Sequence, residues 1–82
     1  MALQIRFFAA LRDEMGRAED VLDAALADKV TDIIAHFKSA DEKGWVLAEP
    51  FVRIIVNGTV ATPQTPVTDG DEIAFCPPFS GG

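Results

Sequence analysis

The chain has 82 residues, 49% of them hydrophobic and 24% charged, with a formal net charge of −6. That length makes one small domain around a single core, and the composition is globular rather than disordered. Only seven Lys and Arg stand against thirteen Asp and Glu, which argues against a nucleic-acid binder, and no apolar run reaches the ~18 residues of a membrane helix.

Residues 3–8 alternate, with Leu3, Ile5 and Phe7 on one face and Gln4, Arg6 and Phe8 on the other. This predicts a strand with one strongly apolar side. Residues 9–15 are rich in helix formers, and Gly16 is placed to end that short helix in a left-handed cap. Residues 19–24 read as a second strand with Val21 buried. The clearest helix follows, because Val30, Ile33, Ile34 and Phe37 recur at i, i+3, i+4 and i+7. Asp28 is its expected N-cap, and Asp32 suits the positive end of its dipole. His36 lies off the stripe and reads as a solvated surface residue.

Residues 39–44 form a polar connection, after which Trp45 and Leu47 are expected to cover one edge of the core as a satellite cluster. Residues 51–56 make the next strand, with Val52, Ile54 and Val56 on one face. Asn57-Gly58 supplies the two positive-φ residues of a type I′ turn, so residues 59–61 return as a hairpin. Pro63 and Pro66 keep the following segment out of a central strand. A turn at residues 68–71 leads into the last strand, 72–76, with Ile73 and Phe75 inward and Ala74 and Cys76 outward. One main helix on a mixed four- to five-stranded sheet is the α+β architecture this order supports. The first and last strands are apolar enough to lie side by side, in parallel, at the sheet centre.

Chemistry-bearing residues are sparse. Cys76 is the only cysteine and His36 the only histidine, so the chain has no internal disulfide, no zinc cluster and no Ser/His/Asp or Cys/His set. Glycine-rich phosphate loops are missing too. The informative segment is the end, Pro77-Pro78-Phe79-Ser80-Gly81-Gly82. Two prolines stop the last strand, an aromatic follows, and three small residues run out to a carboxylate. Four residues beyond Pro78 span at most about 14 Å, enough to deliver a slim terminus into a narrow site in another protein. The opening, Met1 to Arg6, lacks the pattern of a secretory leader, which makes a cytoplasmic location the expectation.

Phe7-Phe8-Ala9 with Leu11-Arg12-Asp13, Asn57-Gly58, the run from Thr68 to Phe75 and the ending Pro77 to Gly82 together resemble the molybdopterin synthase small-subunit family. The likeness covers essentially the whole chain. Cys76 stands where the family often has an aromatic, and Phe79-Ser80 replaces smaller aliphatic or hydroxylated pairs. The resemblance implies a ubiquitin-like β-grasp domain over residues 1–78 and a flexible tail over 79–82. It implies a sulfur carrier of molybdenum-cofactor biosynthesis, in which an ATP-dependent activating enzyme adenylates Gly82 and a sulfur donor converts it to a thiocarboxylate. The chain would then bind no cofactor or metal itself, ATP being used by the activating enzyme. Its sulfur would pass to a pterin precursor in the large subunit, which supplies the acid and base residues, in a heterotetramer of two small and two large subunits.

Gly81 would give the tail slim passage, and Phe79, Ser80, Pro78, Phe8 and Arg12 would contact the partner. For Phe8, burial under Trp45 or a loop is the competing outcome. The diglycine is shared by carriers serving thiamine or another thiolated product and by ubiquitin-like modifiers, so those readings stay open, with a non-catalytic binding module behind them.

Overall fold

Ala2–Phe7 forms the first strand, β1, with Leu3, Ile5 and Phe7 all buried on one face. The computed structural model describes residues 1–77. After β1 come a short helix α1 (Ala10–Met15), strand β2 (Glu19–Asp23) and a 3₁₀ turn over Ala24–Leu26. The main helix α2 (Val30–Ala40) is followed by a second 3₁₀ turn over Gly44–Ala48. Strands β3 (Arg53–Val56), β4 (Thr59–Ala61) and β5 (Glu72–Cys76) complete the described order. They form one sheet in the order β2-β1-β5-β3-β4. β5 therefore sits at the centre, parallel to β1 and antiparallel to β3.

The alternation of each strand sends one side of the sheet onto α2, whose Val30, Ile33, Ile34 and Phe37 are buried as the helical spacing requires. Phe7 joins the two layers. Its ring meets Phe37 edge-on at 5.6 Å and stacks on Phe75 at 6.2 Å, both favoured aromatic geometries. Arg17 closes one end of this core. Its guanidinium donates to Asp20 Oδ2 at 2.7 Å and to Asp41 Oδ1 at 3.1 Å. It also lies 5.7 Å from the centroids of both the Phe7 and Phe37 rings, so its charge is paired while its flat face covers aromatic surface. The hydrogen bond to Asp41 and the neighbouring Asp20 raise the Arg17 pKa against the opposing effect of burial. Asp41 is the C-cap of α2, so one arginine ties the end of the helix to the α1–β2 connection.

Several local expectations change. In β2 it is Leu22 that is buried, while Val21 is 58% exposed, because the antiparallel register pairs Leu22 with the inward Leu3 and Val21 with the outward Gln4. The N-cap of α2 is Lys29, not Asp28. Asp32 Oδ2 accepts the backbone N–H groups of both Asp28 and Lys29, at 2.9 and 3.0 Å. The third helical residue thus caps the helix from inside. α2 runs through Ser39 and Ala40, so the polar connection is shorter than expected. His36 is half-buried, its ring against the edge of Phe37 at 5.3 Å.

Trp45 does not cover the core; it is 52% exposed, whereas Leu47 is part of the main core. The cause is the 3₁₀ turn, whose three-residue repeat puts Gly44 and Leu47, both buried, on one side and turns Trp45 outward. A Cβ on Gly44 would stand 1.9 Å from the Phe37 carbonyl oxygen, so only glycine lets this turn approach α2. The third strand begins at Arg53, leaving Phe51 outside it and exposed.

Candidate functional site

Among the described residues the main helix covers only the inner face of the sheet, which leaves the outer face open. Cys76 is the last residue of β5 and Pro77 the last described residue. Pro78, Phe79, Ser80, Gly81 and Gly82, the expected delivery segment, lie outside the described residues. What the structure gives is the surface on which that segment is rooted. β1 ends beside β5, and the Phe8 N–H donates to the Phe75 carbonyl at 3.1 Å. This bond continues the parallel ladder one residue past β1 and puts Phe8 opposite Cys76.

Phe8 is 43% exposed, so burial under Trp45 or a loop does not occur among the described residues. The next residue explains its position. Ala9 has φ 52° and ψ −127°, a positive-φ conformation that an L-residue adopts only at a cost of order 1–3 kcal/mol. It turns the chain abruptly out of β1 into α1, and its carbonyl accepts the Arg12 N–H at 3.0 Å. The turn brings Arg12 back towards Phe8. Arg6, Phe7, Phe8, Arg12, Ala18 and Glu19 then line one recess of about 140 Å³. Phe8 and Arg12, the two partner-binding residues expected on the described part of the chain, thus line one recess at the end of β1.

The arginines here differ in their engagement. Arg6 pairs with Glu72 at 3.4 Å and Glu19 at 3.9 Å, linking β1 to both neighbours across the outer face. These pairs are solvent-exposed and worth little in stability. Arg12 is exposed and makes no ion pair among the described residues.

Beyond the recess one row of the outer face is apolar. The register aligns Arg6 with Ala74, Ala74 with Ile55, and Ile55 with Val60. Ala74 is buried between its longer neighbours, Ile55 is half-buried and Val60 is 73% exposed. Cys76 is half-buried beside this row, opposite Arg53, and desolvation pushes its thiol pKa up. A protonated, partly covered thiol behaves as a small apolar group.

Ala74 was expected to face outward, whereas Ile55 and Val60 carried no such expectation. The signal was there: alternation puts all three on the solvent side, where a sheet with one wet face carries polar residues. An apolar row on that side departs from that pattern.

One helix across a mixed five-stranded sheet, with the C-terminal strand central and parallel to the first, defines the ubiquitin-like β-grasp class. SAMP1 from Haloferax volcanii has the same fold, with a TM-score of 0.80 and 22% identity over 100% of both chains. A family model, the ThiS family, matches residues 5–82, and the chain belongs to that family. It is 32% identical over 82 residues to the molybdopterin synthase sulfur carrier subunit of Escherichia coli strain K12, covering 98% of this chain and 99% of that protein. The fold also occurs in a protein–protein complex of subunits 1 and 2 of the molybdopterin-converting factor from Helicobacter pylori. There the TM-score is 0.70 at 24% identity, over 100% of both chains.

Proposed function

We propose that this chain is a sulfur carrier for molybdopterin synthesis, docking on a large catalytic subunit through the outer sheet face and delivering sulfur on Gly82. The observation that carries the reading is the near-complete 32% identity to a sulfur carrier subunit of that enzyme. It is supported by an uncovered apolar face at the root of the C-terminal segment.

The chemistry follows from the carboxylate. A C-terminal carboxyl group has a pKa of about 3.3–3.7, so it is ionised at neutral pH and a poor electrophile. Activation joins a carboxylate oxygen of Gly82 to the α-phosphorus of ATP, and pyrophosphate leaves. Attack by sulfide-level sulfur on the resulting acyl adenylate expels AMP and leaves the thiocarboxylate. Gly82 has no Cβ to hinder approach to its carbonyl. The thiocarboxylate then gives up sulfur to the pterin precursor in the partner, which supplies the acid and base. Gly81 keeps the segment slim, while Phe79, with Pro78 and Ser80, anchors it. Phe8 and Arg12 extend the contact onto the folded domain. A large subunit as partner and a two-plus-two assembly belong to this proposal, as do the adenylating enzyme and its ATP.

Intact mass after co-expression with the cognate adenylating enzyme and a sulfur donor tests the reading. A carrier gains the mass difference of one oxygen replaced by sulfur, and deletion of Gly82 abolishes that gain without unfolding the domain. Stable conjugates to lysines of other proteins, with no sulfur gain, would identify a modifier instead.

A further inference from the structure

The β3–β4 hairpin turn contains Asn57-Gly58, with φ values of 51° and 82°. Asparagine followed by glycine is the dipeptide most open to spontaneous deamidation, because glycine has no side chain to shield its backbone nitrogen. In this fold the Asn57 side chain is held at both ends by another segment. Its Nδ2 donates to Asp71 Oδ1 at 2.9 Å, and its Oδ1 accepts the Glu72 N–H at 2.9 Å. The Asn57 N–H donates to the Glu72 carbonyl at 2.8 Å. Asp71 is itself fixed, its Oδ2 accepting the Thr68 N–H at 2.8 Å. All four bonds lie at the surface, where solvent alone would leave such a side chain free to rotate.

We propose that Asn57-Gly58 is a latent deamidation site that the Asn57–Asp71–Glu72 clasp holds shut in the native state. In the reaction the deprotonated Gly58 nitrogen attacks Asn57 Cγ. A Cγ–N bond forms, the Cγ–Nδ2 bond breaks, and ammonia leaves with the proton. Water then opens the cyclic imide at either carbonyl, giving aspartate or isoaspartate at position 57. Attack requires Cγ to swing onto the Gly58 nitrogen, so both side-chain hydrogen bonds to the 71–72 segment must first break.

Either product keeps the clasp from re-forming. Aspartate replaces the Nδ2 donor by a carboxylate facing Asp71, and two like charges at that separation repel. Isoaspartate adds a methylene to the backbone and breaks the two-residue turn that sets the β3–β4 register. The modification therefore acts on the edge strand that carries Val60, and it is irreversible without a repair reaction.

Peptide mapping of aged protein, counting aspartate and isoaspartate at position 57, tests this. Native protein is expected to deamidate at least about tenfold more slowly than the same chain unfolded in urea, an opening free energy of about 1.4 kcal/mol or more. Asp71→Ala removes the acceptor, and, checked to be folded by circular dichroism, it should move the native rate towards the unfolded one. Asp71→Asn keeps an oxygen that can accept from Asn57 and should restore most of the protection; it is also the variant to rely on if Asp71→Ala does not fold. Equal rates in native and unfolded wild-type protein would overturn the proposal. So would a folded Asp71→Ala protein with the wild-type rate, or an Asp71→Asn protein as fast as the unfolded chain.

Discussion

The two faces of one sheet are built from the same strands and have opposite fates. On the inner face Leu3, Ile5, Phe7, Ile54, Ile73 and Phe75 are sealed beneath α2. On the outer face Phe8, Ile55, Val60 and Cys76 meet solvent to varying degrees, with Arg6 and Arg12 around them. Apolar groups on the inner face are accounted for by the core. Those on the outer face are not covered by another element among the described residues, and under the proposed function a partner would supply that layer. Stability and the proposed docking thus fall on residues of opposite parity along the strands, an opposition that substitutions can test.

The largest effect belongs to the inner face. Phe75→Ala removes a fully buried ring from the central strand and from its stack on Phe7. It should cost about 3–5 kcal/mol, read by urea or thermal unfolding. A loss under 1 kcal/mol would mean that the core is not organised around β5.

Arg17→Met comes next. It keeps apolar cover over Phe7 and Phe37 but leaves Asp20 and Asp41 without their shared cation. About 1–2 kcal/mol is expected, below the cost of breaking a fully buried pair because the side chains are about one-third exposed (32% for Arg17). A matching Asp41→Asn variant should show most of the same loss if the contact with the helix end dominates.

The smallest effect is at Asp32. The Asp28 and Lys29 N–H groups hold its carboxyl pKa below the ordinary 3.8. A depressed folded pKa stabilises above the unfolded value and loses that contribution as pH falls through the folded one. Asp32→Asn should therefore lower Tm at neutral pH, and the gap to wild type should close as the pH is taken well below 3.8. A gap that widens on acidification would contradict the cap.

Much of this was readable before any coordinates. Strand alternation and the Val30-Ile33-Ile34-Phe37 spacing located the core because burial has a period, and Asn57-Gly58 announced its turn because few residues accept positive φ. The failures arise where a specific contact, rather than the local pattern, decides the outcome. In the run Glu19-Asp20-Val21-Leu22-Asp23, two adjacent apolar residues leave the register undecided, and only pairing with β1 selects Leu22. Trp45 outweighs Leu47 in hydrophobic bulk, yet the close approach of Gly44 to Phe37 determines which of them is buried. At the candidate site, Phe8 and Arg12 were found through resemblance to a family. Their meeting depends on the positive φ of Ala9, which no residue preference signals. The apolar row Ile55, Val60 and Ala74 required knowing which strands are neighbours.

The central claim is that the outer face docks the partner without holding the fold together. The most direct measurement is the affinity of the Phe8→Ala/Val60→Asp double variant for the large subunit, taken alongside its Tm. The account expects binding to weaken by at least about 2 kcal/mol, roughly thirtyfold, with stability within about 1 kcal/mol of wild type. Wild-type affinity in a folded double variant would contradict it.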